Sequence, residues 1–98
     1  MDRLEIKMPS YRMYEVIHSL VGSSTNHPTT LVLIDDEQDY SIELIWRESV
    51  PDSDGNTRIV LYQITTYVRG NDRLTLIHKN GITDDLVRSG AKQIIEMY

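Results

Sequence analysis

Residues 40–48, YSIELIWRE, place Tyr40, Ile42, Leu44 and Trp46 at every second position, with Ser41, Glu43, Ile45 and Arg47 between them. Successive side chains of a strand point to opposite faces, so this period gives a strand with one apolar face that must be covered. The same period recurs along the chain. In residues 3–8, Leu4, Ile6 and Met8 alternate with Arg3, Glu5 and Lys7. Residues 58–69, RIVLYQITTYVR, alternate with Val60, Tyr62, Ile64 and Val68 aligned, and Leu74 and Leu76 alternate through 72–78. TTLVLI, at 29–34, is a short apolar run rich in branched residues and reads as a buried strand.

Two segments break the period and supply the cover. Pro9 suits the first turn of a helix, where its missing N–H costs nothing. Met13, Val16, Ile17, Leu20 and Val21 then follow at i, i+3, i+4, i+7 and i+8, a single apolar stripe. Gly22 sits where a C-terminal cap belongs, and 23–30 is a polar loop. A second helix is expected from about Asp84 to Met97. Thr83 would cap it, Asp84 and Asp85 would sit in its first turn, and Ile82 and Val87 would form a staple around the cap. Its buried stripe is Val87, Ala91, Ile94, Ile95 and Tyr98, with Gly90 mid-helix. Gly70-Asn71 signals a two-residue hairpin and Asn80-Gly81 ends the last strand.

The order β-α-β-β-β-β-α, with short links between the last four strands, predicts an α+β fold. It is a two-layer sandwich, with a mostly antiparallel sheet and two helices on one of its faces. The first strand–helix–strand unit would add one parallel pair. No repeat, low-complexity tract or linker divides the chain, so residues 1–98 form one domain.

The chain has no cysteine, which excludes disulfides, zinc–thiolate sites and cysteine nucleophiles. The longest unbroken apolar run is Leu31–Ile34, against the roughly 20 residues a membrane helix needs. Charges at Asp2, Arg3, Glu5 and Lys7 leave no apolar signal segment at the start. A cytoplasmic protein is expected, in the host cytoplasm if the chain is encoded by a phage.

One stretch invites a metal. Residues 52–63, DSDGNTRIVLYQ, resemble the calcium loop of an EF-hand, with Asp52, Asp54 and Asn56 at ligand positions 1, 3 and 5 and Ile59 at position 8. Position 6 is Thr57 where that family has glycine, and position 12 is Gln63 where it has a bidentate glutamate. Strand-like sequence flanks the loop where the family has helices. Pro51, Asp54-Gly55 and Asn56 instead supply the geometry of a hairpin turn. No metal or other cofactor is expected.

Other constellations are sparse. His18, His27 and His78 lie on the first helix, in a loop and near a strand end, with no metal-ligand spacing among them. Ser23, Ser24 and Thr25 lie near His27, but there is no nucleophile elbow and no phosphate-cradling glycine pattern, so no catalytic residue is assigned. Tyr11, Tyr14 and His18 share a strip beside the buried face of the first helix, either covering the core edge or serving as a second binding patch. Arg12, Arg88, Lys92 and Lys79 are scattered bases that would solvate the helical side.

Charge carries the functional expectation. Fifteen acidic against ten basic residues give a net charge of −5. Between Asp35 and Asp54 stand eight carboxylates (Asp35, Asp36, Glu37, Asp39, Glu43, Glu48, Asp52 and Asp54) and one base, Arg47. That segment sums to −7 and the other 78 residues to +2. Loops at both ends of the 40–48 strand and Glu43 between them would draw this charge out over roughly 30 Å, at about 6.6 Å between alternate residues. That spacing is close to the distance between phosphates along a nucleic-acid strand. Such a strip repels nucleic acid and suits a Lys/Arg groove made for it. In size, acidity and lack of catalytic residues the chain resembles the phage- and plasmid-borne inhibitors of CRISPR or restriction nucleases, some of which imitate DNA. The likeness is one of class, carried by no shared motif. It implies a non-catalytic inhibitor that docks on a basic protein surface, binding no nucleic acid directly and no membrane. The alternative is a structural or regulatory domain that acts through homodimerisation.

Overall fold

The computed structural model of the chain describes residues 3–21, 29–48, 53–56, 59–68, 71–77, 82 and 85–90, giving only the backbone of 21, 71–74, 76 and 77. Its elements run β1 (Arg3–Lys7), α1 (Ser10–Val21), β2 (Thr30–Asp35), β3 (Tyr40–Glu48), β4 (Ile59–Val68) and β5 (Asn71–Ile77). Residues 85–90 are helical. The class is α+β. The strands form one mixed sheet in the order β1-β2-β3-β4-β5. β1 pairs with β2 in parallel, and β2–β3, β3–β4 and β4–β5 are antiparallel. A parallel neighbour needs a crossover, and α1 provides it, while the remaining strands follow one another through short links.

Register places the alternating positions together. Leu4, Leu31, Leu44 and Ile64 lie across neighbouring strands, as do Ile6, Leu33, Ile42 and Thr66. Leu31, Leu33, Tyr40, Ile42, Leu44, Trp46, Leu61 and Ile64 are buried in one cluster with Met13 and Ile17 of α1 and with Ile82 and Val87. Val16 and Leu20 pack half-buried beside it, as the helical stripe requires. Fully burying each such aliphatic side chain contributes about 1.5–3 kcal/mol.

Strand β4 departs from simple alternation. Ile45 pairs with Gln63 but Trp46 pairs with Leu61, so Tyr62 is an extra residue in β4. This bulge turns Leu61 into the core, 3% exposed, and sends Tyr62 to the opposite face under the Arg47 guanidinium, 4.8 Å from the ring centroid. The expected alignment of Val60 and Tyr62 with Ile64 is therefore corrected, because one inserted residue reverses the facing of everything before it. Ile82 donates its N–H to the Leu61 carbonyl at 2.6 Å, tying the approach to the helical segment 85–90 onto the bulged strand.

A second irregularity follows Thr66, which pairs with Leu74 while Tyr67 pairs with Asp72. Asn71 pairs with Val68 and so belongs to β5, one position earlier than a Gly70-Asn71 turn would have it. The expected C-cap at Gly22, the cap at Thr83, the acidic Asp84 and the helical stripe beyond residue 90 lie outside the described residues.

Candidate partner-binding surface

The acidic segment divides into parts with different environments. Asp35 ends β2 on the core-facing side, paired across from Tyr40, and is 8% exposed. One oxygen, Oδ2, accepts the Ser10 N–H at 2.8 Å and the Ser10 hydroxyl at 2.5 Å. The other, Oδ1, accepts the N–H groups of Glu37 at 3.1 Å and Gln38 at 3.3 Å. The hydrogen bond from the Ser10 hydroxyl is the main reason its carboxyl is held below the usual range. Burial opposes that shift, and the three backbone N–H groups reinforce it. Asp35 thus binds the first turn of α1 to the turn between β2 and β3. Its role as a free docking charge is corrected: its oxygens already accept four hydrogen bonds within the molecule.

The turn that Asp35 organises carries Asp36, Glu37 and Asp39, all exposed. Asp39 has φ 53°, in the left-handed region that aspartate tolerates better than most residues. Beside this turn a shallow cleft of about 290 Å³ opens between Ile34, Asp35, Asp36, Asp39, Tyr40, Ser41 and Tyr67. Ile34, Ser41 and Tyr67 lie side by side across three strands on the sheet face opposite the core cluster, while Asp35 and Tyr40 belong to the core-facing side. An aliphatic floor, an aromatic ring and a carboxylate rim match the stem and head of a long basic side chain.

Two of the carboxylates have internal cations. Lys7 Nζ lies 2.9 Å from Asp36, and Arg3 lies 3.4 Å from Glu43, whose side chain is only 25% exposed. Arg3 also reaches Glu5 at 3.1 Å. With Asp35 turned inward and Glu43 bridged, the described carboxylates do not make an unbroken ridge along β3. Glu48 is exposed at its far end, and Asp54 is exposed in the 53–56 turn, where Gly55 has φ 79°. Asp52 lies outside the described residues. The stretch resembling a calcium loop joins two antiparallel strands as a hairpin, and among the described residues no three His, Asp or Glu side chains converge as metal ligands.

The tyrosine strip is only partly a unit. Tyr14 stacks on His18 at 6.0 Å between centroids and 10° between planes, and His18 Nε2 lies 3.0 Å from the Arg88 guanidinium. Tyr11 is 73% exposed. His27, His78, Lys79 and Lys92 lie outside the described residues.

Sequence reasoning missed Ser10 as the partner of Asp35. The signal was present in the strand period, since Asp35 is in phase with Leu31 and Leu33 and so falls on the core side. A carboxylate there requires donors. Compared with known proteins, the chain matches no family model, no curated protein and no solved structure. Among the described residues no helix is long and apolar enough to cross a membrane.

Proposed function

We propose that the chain is a small, non-catalytic binding protein that docks an anionic surface on a basic, nucleic-acid-binding site of a partner protein. It acts there as an inhibitor in the manner of phage-borne anti-CRISPR or anti-restriction proteins, in the cytoplasm of the host. The observation that carries the reading is the β2–β3 turn, where the exposed carboxylates of Asp36 and Asp39 line a cleft with Ile34 and Tyr67, and a third exposed carboxylate, Glu37, lies between them in sequence. Docking centres on this turn instead of running along the whole of β3. Glu43, Glu48 and Asp54 extend the field around it, and a partner's arginines exchange with Lys7 and Arg3, because exposed ion pairs are worth only about 0–1 kcal/mol.

The reading takes both helices to form one layer over the core face of the sheet, leaving the opposite face for the partner. Support for this comes from Met13, Ile17 and Val87, which share a cluster with the buried strand residues. The Tyr14–His18 stack with Tyr11 is a secondary contact on the helical side.

The test is capture of a partner on the immobilised protein from lysate of the native host. Capture is expected at low salt, with release by added duplex DNA and by rising ionic strength. The triple variant D36K/E37K/D39K, which leaves Asp35 intact, is expected to capture nothing while melting as the parent does. A captured partner indifferent to both DNA and the triple variant would overturn the reading.

A further inference from the structure

β1 stands at one edge of the sheet and pairs, among the described residues, with β2 alone. The Met8 N–H donates to the Ile34 carbonyl at 2.8 Å. Backbone polar groups alternate in direction along a strand, so the peptide groups of Leu4, Ile6 and Met8 are directed at β2. Those of Arg3, Glu5 and Lys7 are directed away from the sheet, where the described chain offers them nothing. The side chains of these three residues line the face opposite the core and are 53%, 54% and 77% exposed. Leu4, Ile6 and Met8 pack against the core on the other face.

We propose that this edge pairs with the same edge of a second copy of the chain, antiparallel about a two-fold axis at Ile6. In antiparallel pairing, residues that exchange both backbone hydrogen bonds face each other, and here those are the odd-numbered ones. An axis at Glu5 would set Glu5 against Glu5 and Arg3 against Lys7, two kinds of like-charge contact. An axis at Leu4 would match Arg3 with Glu5 but carry Lys7 past the described strand. An axis at Ile6 matches Glu5 with Lys7 twice, brings Leu4 opposite Met8 on the apolar side and sets Ile6 beside its own copy. Pro9, which has no N–H, then falls at the rim of the ladder. Opposite charges directly across a ladder are favourable and like charges are not, so charge selects this register. The contact is isologous and closes as a dimer. The existing Arg3–Glu5 and Lys7–Asp36 pairs are exposed and do not oppose it. The proposal does not rest on the docking reading, and either can fail alone.

Sedimentation velocity over a concentration series tests it. The parent chain is expected to pass from monomer to dimer as concentration rises. Glu5→Lys and Lys7→Glu are each expected to be monomeric at the highest concentration, because each sets like charges across the ladder. The double variant E5K/K7E exchanges the signs and is expected to restore the dimer. Melting curves check that all of them fold. The chain has no cysteine, so Ile6→Cys reports the axis: mild oxidation is expected to give a covalent dimer, and Leu4→Cys is expected to give none. A parent that stays monomeric throughout, a dimer untouched by Glu5→Lys, or cross-linking through position 4 in place of position 6 would each overturn the proposal.

Discussion

A carboxylate shut away from water must be supplied with donors, and Asp35 receives four hydrogen bonds, two from Ser10 and one each from the Glu37 and Gln38 backbone. Replacing it with asparagine exchanges a charged acceptor for a neutral one and leaves donors unsatisfied. Asp35→Asn is therefore expected to lower stability by about 1–3 kcal/mol, read as a drop in the denaturant midpoint. Ser10→Ala, which removes only the hydroxyl, should cost less. The pH dependence follows from the lowered carboxyl. The folded chain binds this proton more weakly than the unfolded chain, so the stabilisation is complete above the ordinary aspartate value of about 3.9 and fades as pH falls through the lower folded value. Unfolding curves of the parent and of Asp35→Asn should therefore converge in acid. A gap that stays constant from neutral pH down to the acid limit would show that the ionised form of Asp35 contributes nothing.

At the level of the strand, the β4 bulge separates two neighbours that alternation alone puts the other way round. Leu61→Ala opens a cavity in the core and is expected to cost about 2–5 kcal/mol. Tyr62→Ala removes a half-buried ring under the exposed Arg47 and is expected to cost about 1 kcal/mol, the scale of a surface cation–π contact. Chemical denaturation of the two variants checks the order. Strand period and helical stripe were legible because burial follows them directly, as Tyr40, Ile42, Leu44 and Trp46 show in β3 and Met13 and Ile17 in α1. The bulge was not legible. RIVLYQITTYVR alternates acceptably in either phase, and only pairing with Trp46 and the hydrogen bond from Ile82 to the Leu61 carbonyl decide between them. The proposed docking surface was legible as charge but not as shape. Asp35 and Asp36 are identical neighbours in sequence, and the strand period turns the first inward and the second outward.

For the whole molecule, the proposed docking divides into two parts: charge would set the range over which a partner is felt, and the turn what it meets on arrival. At low salt the net charge of −5 reaches across about 10 Å or more, and at physiological salt about 8 Å, so salt should slow capture before it weakens the final contact. Rapid-mixing measurements at two ionic strengths would separate these, with the association rate expected to fall more than the dissociation rate rises. The hinge of all this is a side chain whose oxygens are already engaged within the molecule. Since a single carboxyl group fastens both the start of α1 and the acidic turn, protonating it would slacken that turn and a helix together. Because that carboxyl is held below the ordinary aspartate range, both stay fastened until the pH falls beneath about 3.9, and they loosen together only in stronger acid.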